Sequence, residues 1–379
     1  VLLRGPADLI AAVPLLLGFH PTHSLVAVGL HADGRFIAVT MRVDLPPPAH
    51  REQGPEDGSF GRAVLAMMLG ALQNVDATKV RLLVYPTGAC PDVASNGLPH
   101  AAVIARLCQE LHQHQVMVAD ALCVIPAVGG TSWWSYLCDD GGCCPAEGQR
   151  IKDSDGTHIR AAFALEGIAA LPDRAALVTQ LAAGLPGDPA VEMLEVAICT
   201  TAARELQLRG DGWWEKASVR RWRQSITLRV AQLLLDAAHH VPVRRLTADE
   251  QALVLLALTD RQVRDLVMCA IAVQGAERDV FDVLIPLVRS APAGWVAPVA
   301  TLAAVCAYLA GDGAATWVAL DRAVHDDPDY RLAAMLCDGL SRAVPPAALN
   351  EMITSLPPIE SWDGGDLLAW REQSTASGW

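Results

Sequence analysis

Hydrophobic periodicity changes character near Gly148, and that change limits the chain to two kinds of structure. Upstream, short β-rich runs alternate with helical spacing. Downstream, apolar residues recur almost wholly at helical intervals. At the change lies Thr131-Ser132-Trp133-Trp134-Ser135-Tyr136-Leu137-Cys138-Asp139-Asp140-Gly141-Gly142-Cys143-Cys144-Pro145-Ala146-Glu147-Gly148. Its aromatic half suits a strand, with Trp133, Ser135 and Leu137 on one face and Trp134 and Tyr136 on the other. Its thiol half suits a loop, because Asp-Asp-Gly-Gly and Cys-Pro interrupt regular structure.

Before Gly148 the pattern predicts α-β-β-α-β-α-β and then the Trp133 strand. A helix from Pro6 ends at Gly18, and a loop through His20 and His23 precedes strands at Ser24–Leu30 and Phe36–Val43. Residues 31–35 carry a hairpin signal, and Pro46-Pro47-Pro48 closes the second strand. Helices are expected at Phe60–Asn74 and Leu98–His114, and buried strands at Val80–Tyr85 and Val116–Ile125. The fold class is therefore α/β: a mixed-sheet domain over residues 1–150, an all-α domain of helical hairpins over 151–356, and a tail over 357–379. Gly311, Ala323 and Pro328 fall where a tetratricopeptide repeat places its turn, its small packing residue and its final proline, so the hairpins are read as TPR-like.

A chain of 379 residues has room for roughly two to three domains, and with half of it apolar it buries a large core. Apolar runs stop well short of the ~20 residues of a membrane span. No basic segment followed by an apolar one marks a secretion signal, so a cytoplasmic protein is expected. Ten cysteines in such a chain suggest a reducing compartment, where Cys108, Cys123, Cys199, Cys269, Cys306 and Cys337 serve as small core residues. A net charge of −13 argues against nucleic acid as a partner. The local exception gathers Arg209, Lys216, Arg220, Arg221, Arg223, Arg229, Arg244 and Arg245 around Trp213, Trp214 and Trp222. That stretch reads either as a phosphate or partner surface or as a solvated helix face with its aromatics turned inward.

Several segments taken together resemble the actinobacterial DUF4192 family, a domain of unknown function. They are Arg4-Gly5-Pro6-Ala7-Asp8-Leu9, Leu17-Gly18-Phe19-His20-Pro21, Ser24-Leu25-Val26, Arg42-Val43-Asp44-Leu45-Pro46, Trp133-Trp134-Ser135-Tyr136-Leu137-Cys138 and Cys143-Cys144-Pro145. The resemblance spans nearly the whole chain and implies a cytoplasmic protein of a high-GC Gram-positive host. It brings no activity, cofactor or catalytic residue with it.

The chemistry that the residues themselves offer is limited. Cys138, Cys143 and Cys144 lie close enough to share a zinc ion, with a fourth ligand from His158, His20, His23 or Cys90. The spacing C-x4-C-C is not a standard zinc pattern. Packed thiols, a disulfide or a redox sensor stand beside that reading, and Asp139 and Asp140 oppose the lowered thiol pKa that a sensor needs. His20 sits at a helix-to-strand junction, where α/β domains form crevices, and Arg42 and Asp44 bracket a strand end. No dinucleotide fingerprint, Walker loop, zincin motif or nucleophile elbow is present. The leading expectation is a non-enzymatic protein that binds a protein partner or homo-oligomerises through its helices, with tryptophans as anchors. The alternative is a small-molecule enzyme or sensor whose pocket gathers His20, Arg42, Asp44, Trp134 and Cys138. Candidate binding residues are His20, Arg42, Asp44, Trp133, Trp134 and Tyr136. The candidate metal ligands are Cys138, Cys143 and Cys144.

Overall fold

A computed structural model of the chain describes residues 5–31, 36–46, 59–87, 97–127, 130–138, 145, 148–152, 155–165, 167–184, 187–209 and 216–355. The hairpin turn at 32–35 and the tail from 357 fall outside these. Tertiary contacts divide the chain into two units. One holds residues 1–177 together with 338–345, and the other holds 178–337 with the remainder.

The first unit opens with α1 (Pro6–Leu17), β1 (Ser24–Leu30), β2 (Ile37–Asp44), α2 (Ser59–Asn74), β3 (Lys79–Tyr85) and α3 (Ala101–Gln113). It continues with β4 (Met117–Ala127), β5 (Gly130–Ser135), the short β6 (Gln149–Arg150) and α4 (Thr157–Leu165). The six strands form one mixed sheet in the order β2-β1-β3-β4-β5-β6, in which only β3 and β4 pair in parallel. The crossovers β2-α2-β3 and β3-α3-β4 both advance in one direction along the sheet. A common hand therefore puts both helices on one face, and a shared core there joins Val64, Met68 and Leu72 of α2 to Ile104, Leu107 and Leu111 of α3. Leu25, Ala27, Leu82, Val84 and Ala121 supply the sheet side of that core. Gly29 allows a close approach: a Cβ there would meet the Leu72 Cδ2 at 2.7 Å and the Val39 Cγ1 at 2.8 Å.

The alternate residues point to the other face. Val26, Val28, Leu83, Leu122 and Val124 are fully buried, as are Leu9 and Val13 of α1 and Ile159 of α4. Both faces being covered explains why β1 is buried along its whole length and reads as an unbroken apolar run.

The second unit is helical. It comprises α5 (Arg174–Leu181, whose first turn belongs to the first unit), α6 (Pro189–Arg209), α7 (Lys216–His239), α8 (Ala248–Leu258), α9 (Arg261–Gln274), α10 (Glu277–Ser290), α11 (Val296–Leu309), α12 (Gly313–Asp326), α13 (Arg331–Ser341, whose last turn belongs to the first unit) and α14 (Pro346–Thr354). Neither β6 nor α14 was expected from the periodicity. Gly311, at φ 81°, turns α11 into α12, and Ala323 is fully buried between packed helices.

Helix α11 is apolar all round, and every residue from Val296 to Ala307 is buried. Its N-cap Trp295 offers no side-chain acceptor. The missing acceptor is Asp326, at the end of α12. Its carboxylate accepts from the backbone N–H of Gly294 at 2.7 Å, of Val296 at 3.0 Å and of Ala297 at 2.9 Å. An acid in the last turn of its own helix is locally unfavourable, so only the neighbouring helix explains this residue. Asp326→Ala is expected to destabilise the helical unit by about 1–3 kcal/mol, because orphaned donors at a buried helix end are costly. Urea unfolding followed by circular dichroism checks this, with Asp326→Asn expected to lose less.

Candidate functional site

The residues singled out in the first unit fall into two groups. At the end of α1, Gly18 takes a left-handed φ of 74° and returns the chain toward the sheet. Phe19 is buried and bridges Leu171. The His20 N–H donates to the Leu171 carbonyl at 3.0 Å, while the His20 side chain is exposed. Arg42 donates through Nε to the Ser24 hydroxyl at 2.9 Å, hydrogen-bonds Asp44, and lies over the Phe19 ring at 5.9 Å. The Ser24 hydroxyl in turn donates to the Thr22 carbonyl at 2.7 Å. This network secures the β2 edge of the sheet, and Asp44 is largely in solvent.

Two polar atoms beside it have no partner. Tyr85 sits directly opposite Ser24 and is 3% exposed, yet its hydroxyl makes no hydrogen bond. Burial pushes its pKa well above the usual tyrosine value, so the phenol stays protonated. His23, held at φ 48°, likewise buries an unpartnered Nδ1. Sequence reading missed Tyr85, which looks like an ordinary end to an apolar strand.

The second group is on β5. Trp134 is 1% exposed and packs with Cys123 and Ile125. Gly148, at φ 77°, lies against its indole, where a Cβ would sit 2.5 Å from the Trp134 Cε2. The Tyr136 hydroxyl donates to the Pro99 carbonyl at 2.6 Å, and burial, then Cys123, raises its pKa. Trp133 is half-buried on the opposite face, paired with Gln149. Cys138 is disulfide-bonded. Cys143 and Cys144 lie outside the described residues. A sulfur held in a disulfide is not the thiolate that zinc binds, and no group of three metal-ligating side chains occurs among the described residues.

The structure does not bring the two groups together. Four strand spacings, roughly 19 Å, separate β2 from β5. Register also puts Trp134 in the row of Cys123, Val84, Leu25 and Val43, on the face opposite Arg42.

In the helical unit three residues of the basic stretch form internal ion pairs. Arg223 holds Asp260 at 2.8 Å, Arg229 holds Glu205 at 2.7 Å, and Arg244 holds Glu250 at 2.9 Å. Trp222 is turned inward and donates its indole N–H to Glu205 at 3.1 Å. Glu205, 3% exposed, is a buried carboxylate that sequence reading passed over. The signal was its position, in phase with Leu194 and Ile198 on the buried side of α6. Trp213 and Trp214 lie outside the described residues.

The other side of α6 is apolar as well. Met193, Val196, Cys199, Ala203 and Leu206 recur at spacings of three and four, and all are exposed, Met193 at 64% and Val196 at 68%.

Residues 6–347, from the first turn of α1 into α14, match the family described as Domain of unknown function (DUF4192). The chain belongs to that family. The DUF4192 match takes in both units, so sheet and helices are parts of one family architecture. No curated protein and no solved structure matches the chain. No described helix of this DUF4192 protein is long and apolar enough to cross a membrane.

Two comparisons test these packing assignments. Gly97→Ala, at φ 67° with open space around it, is expected to cost only the backbone penalty of about 1–2 kcal/mol. Gly148→Ala adds displacement of the Trp134 indole and is expected to cost about 1–3 kcal/mol more, read from thermal melts. Tyr85→Phe removes an unpartnered hydroxyl and is expected to leave the melting temperature unchanged or raised. Tyr136→Phe strands the Pro99 carbonyl and is expected to cost about 1–3 kcal/mol.

Proposed function

We propose that this DUF4192 protein is a non-enzymatic, cytoplasmic interaction protein whose helical part binds a protein partner or a second copy of the chain. The observation that carries the reading is the outward stripe of α6. A helix that packs one apolar side and leaves a second one in water is characteristic of an interaction surface rather than of a free face. The stripe is about 20 Å long at 1.5 Å per residue, which suits a partner helix laid along it. Six described cysteines stay outside disulfides, which fits a reducing compartment, while the Cys138 disulfide runs against it. A regulatory zinc on Cys138, Cys143 and Cys144 would require the Cys138 disulfide to be reduced first.

A small-molecule sensor is the second reading, and what supports it is the pair of unpartnered atoms, Tyr85 hydroxyl and His23 Nδ1, near Ser24. On that reading Trp134 and Cys138 are not part of the pocket.

Size-exclusion chromatography with light scattering tests the lead. The full chain is expected to show a concentration-dependent dimer or a stoichiometric co-purifying protein. Met193→Glu with Val196→Glu is expected to weaken that association roughly ten-fold or more without lowering the melting temperature. A strict monomer with no retained partner, or an association indifferent to both substitutions, would overturn it.

A further inference from the structure

Between the C-terminal half of α6 and the first half of α7 the packing leaves a cavity of about 320 Å3. That is at the lower edge of the range for small-molecule sites, roughly 300–1,000 Å3. Ser218, Arg221, Trp222, Ser225 and Arg229 face it from α7, at the i, i+3, i+4, i+7, i+11 spacing of a single helix face. Glu205 lines it from α6.

The hydrogen-bonding balance of these groups is uneven. The only carboxylate among the described lining residues, Glu205, is engaged: one oxygen accepts from the Trp222 indole N–H and the other from Arg229. Arg229 uses one N–H on Glu205, and a guanidinium carries five. Among the described residues Arg221 donates only to the Ser218 hydroxyl of its own helix, at 3.2 Å. The cavity thus presents two guanidiniums against one carboxylate, with the Ser225 hydroxyl beside them. Donors and positive charge are in excess, and what is lacking is an acceptor.

An adjoining cavity of about 360 Å3 shares Glu205 and Trp222 and is walled by Ala202, Leu206 and Leu256, which leaves space for an apolar body next to the cationic end.

We propose that this cavity is a binding site for a small oxyanion, a carboxylate or phosphate, held by Arg221 and Arg229 with the Ser218 and Ser225 hydroxyls, and packed against Trp222. Guanidinium forks match the paired oxygens of both groups, and partial shelter from water strengthens the contact. The chain as a whole carries −13, so long-range attraction does not assist capture and the affinity is local and modest. The site shares one residue with the proposed docking stripe, Leu206 in the wall of the adjoining cavity; its arginines and serines belong to α7.

Isothermal titration of the full chain with inorganic phosphate, benzoate and benzylamine tests it. Saturable binding of one equivalent of phosphate or of benzoate is expected, with no binding of the benzylamine cation. Phosphate alone identifies a phosphate site, and benzoate alone identifies an apolar carboxylate site. Arg229→Ala would leave Glu205 buried without its cation and risks misfolding. Arg221→Gln, which leaves no buried charge unpaired, is the decisive variant. It is expected to weaken binding roughly ten-fold, while Glu192→Gln on the exposed side of α6 leaves it unchanged. Silence with both anions, equal binding of benzylamine, or an affinity indifferent to Arg221→Gln would each overturn the proposal.

Discussion

The helical unit depends on one contact across helices: the carboxylate of Asp326 on the first N–H groups of α11. A helix buried on all sides gains most from the removal of apolar surface from water. Its ends cannot borrow water, however, so their backbone groups need protein partners. Trp295 provides an apolar entry to α11 and no acceptor. The acceptor arrives from thirty residues later, and the same bond ties α12 against α11. One side chain thereby completes the backbone hydrogen bonding of the helix and sets how its neighbour lies.

The sheet unit solves the same problem differently. Its backbone groups pair strand to strand, and the remaining difficulty is covering two apolar faces. Crossovers that run in one direction send α2 and α3 to the same side, and α1 and α4 accompany the buried residues of the other. Polar side chains are admitted only at the margins. Arg42, Ser24 and Asp44 close the β2 edge, and Arg81 pairs with Asp120 across β3 and β4 at 3.2 Å. Burial pushes the Asp120 carboxyl above its ordinary pKa, and the facing Arg81 opposes that shift.

Charge in the helical unit has also been turned inward. Part of the basic run that would interest a phosphate backbone is paired with Asp260, Glu205 and Glu250. Arginine suits this use, since a planar fork satisfies a carboxylate in a partly dry site better than an ammonium does. What stays open to a partner includes an apolar stripe along α6 and the guanidinium of Arg221 at the mouth of a cavity. The two meet at Leu206, which belongs to the stripe and to the wall of the adjoining cavity.

Secondary structure was legible almost throughout, because period 2 and period 3.6 are local properties. β1 was placed at its exact bounds. The exceptions have local reasons: two residues of β6 and the nine of α14 are too short for periodicity to register. The Gly18 helix stop was equally readable, whereas Trp134, read as a binding candidate, is buried in the core. Sequence distance, by contrast, carries no information about which strands become neighbours. Arg42 and Trp134 both look like site residues, yet strand order puts roughly 19 Å of sheet between them. The roles of Asp326, Glu205 and Tyr85 were decided only by folding, because each depends on which donor or acceptor a distant segment brings to it, or fails to bring.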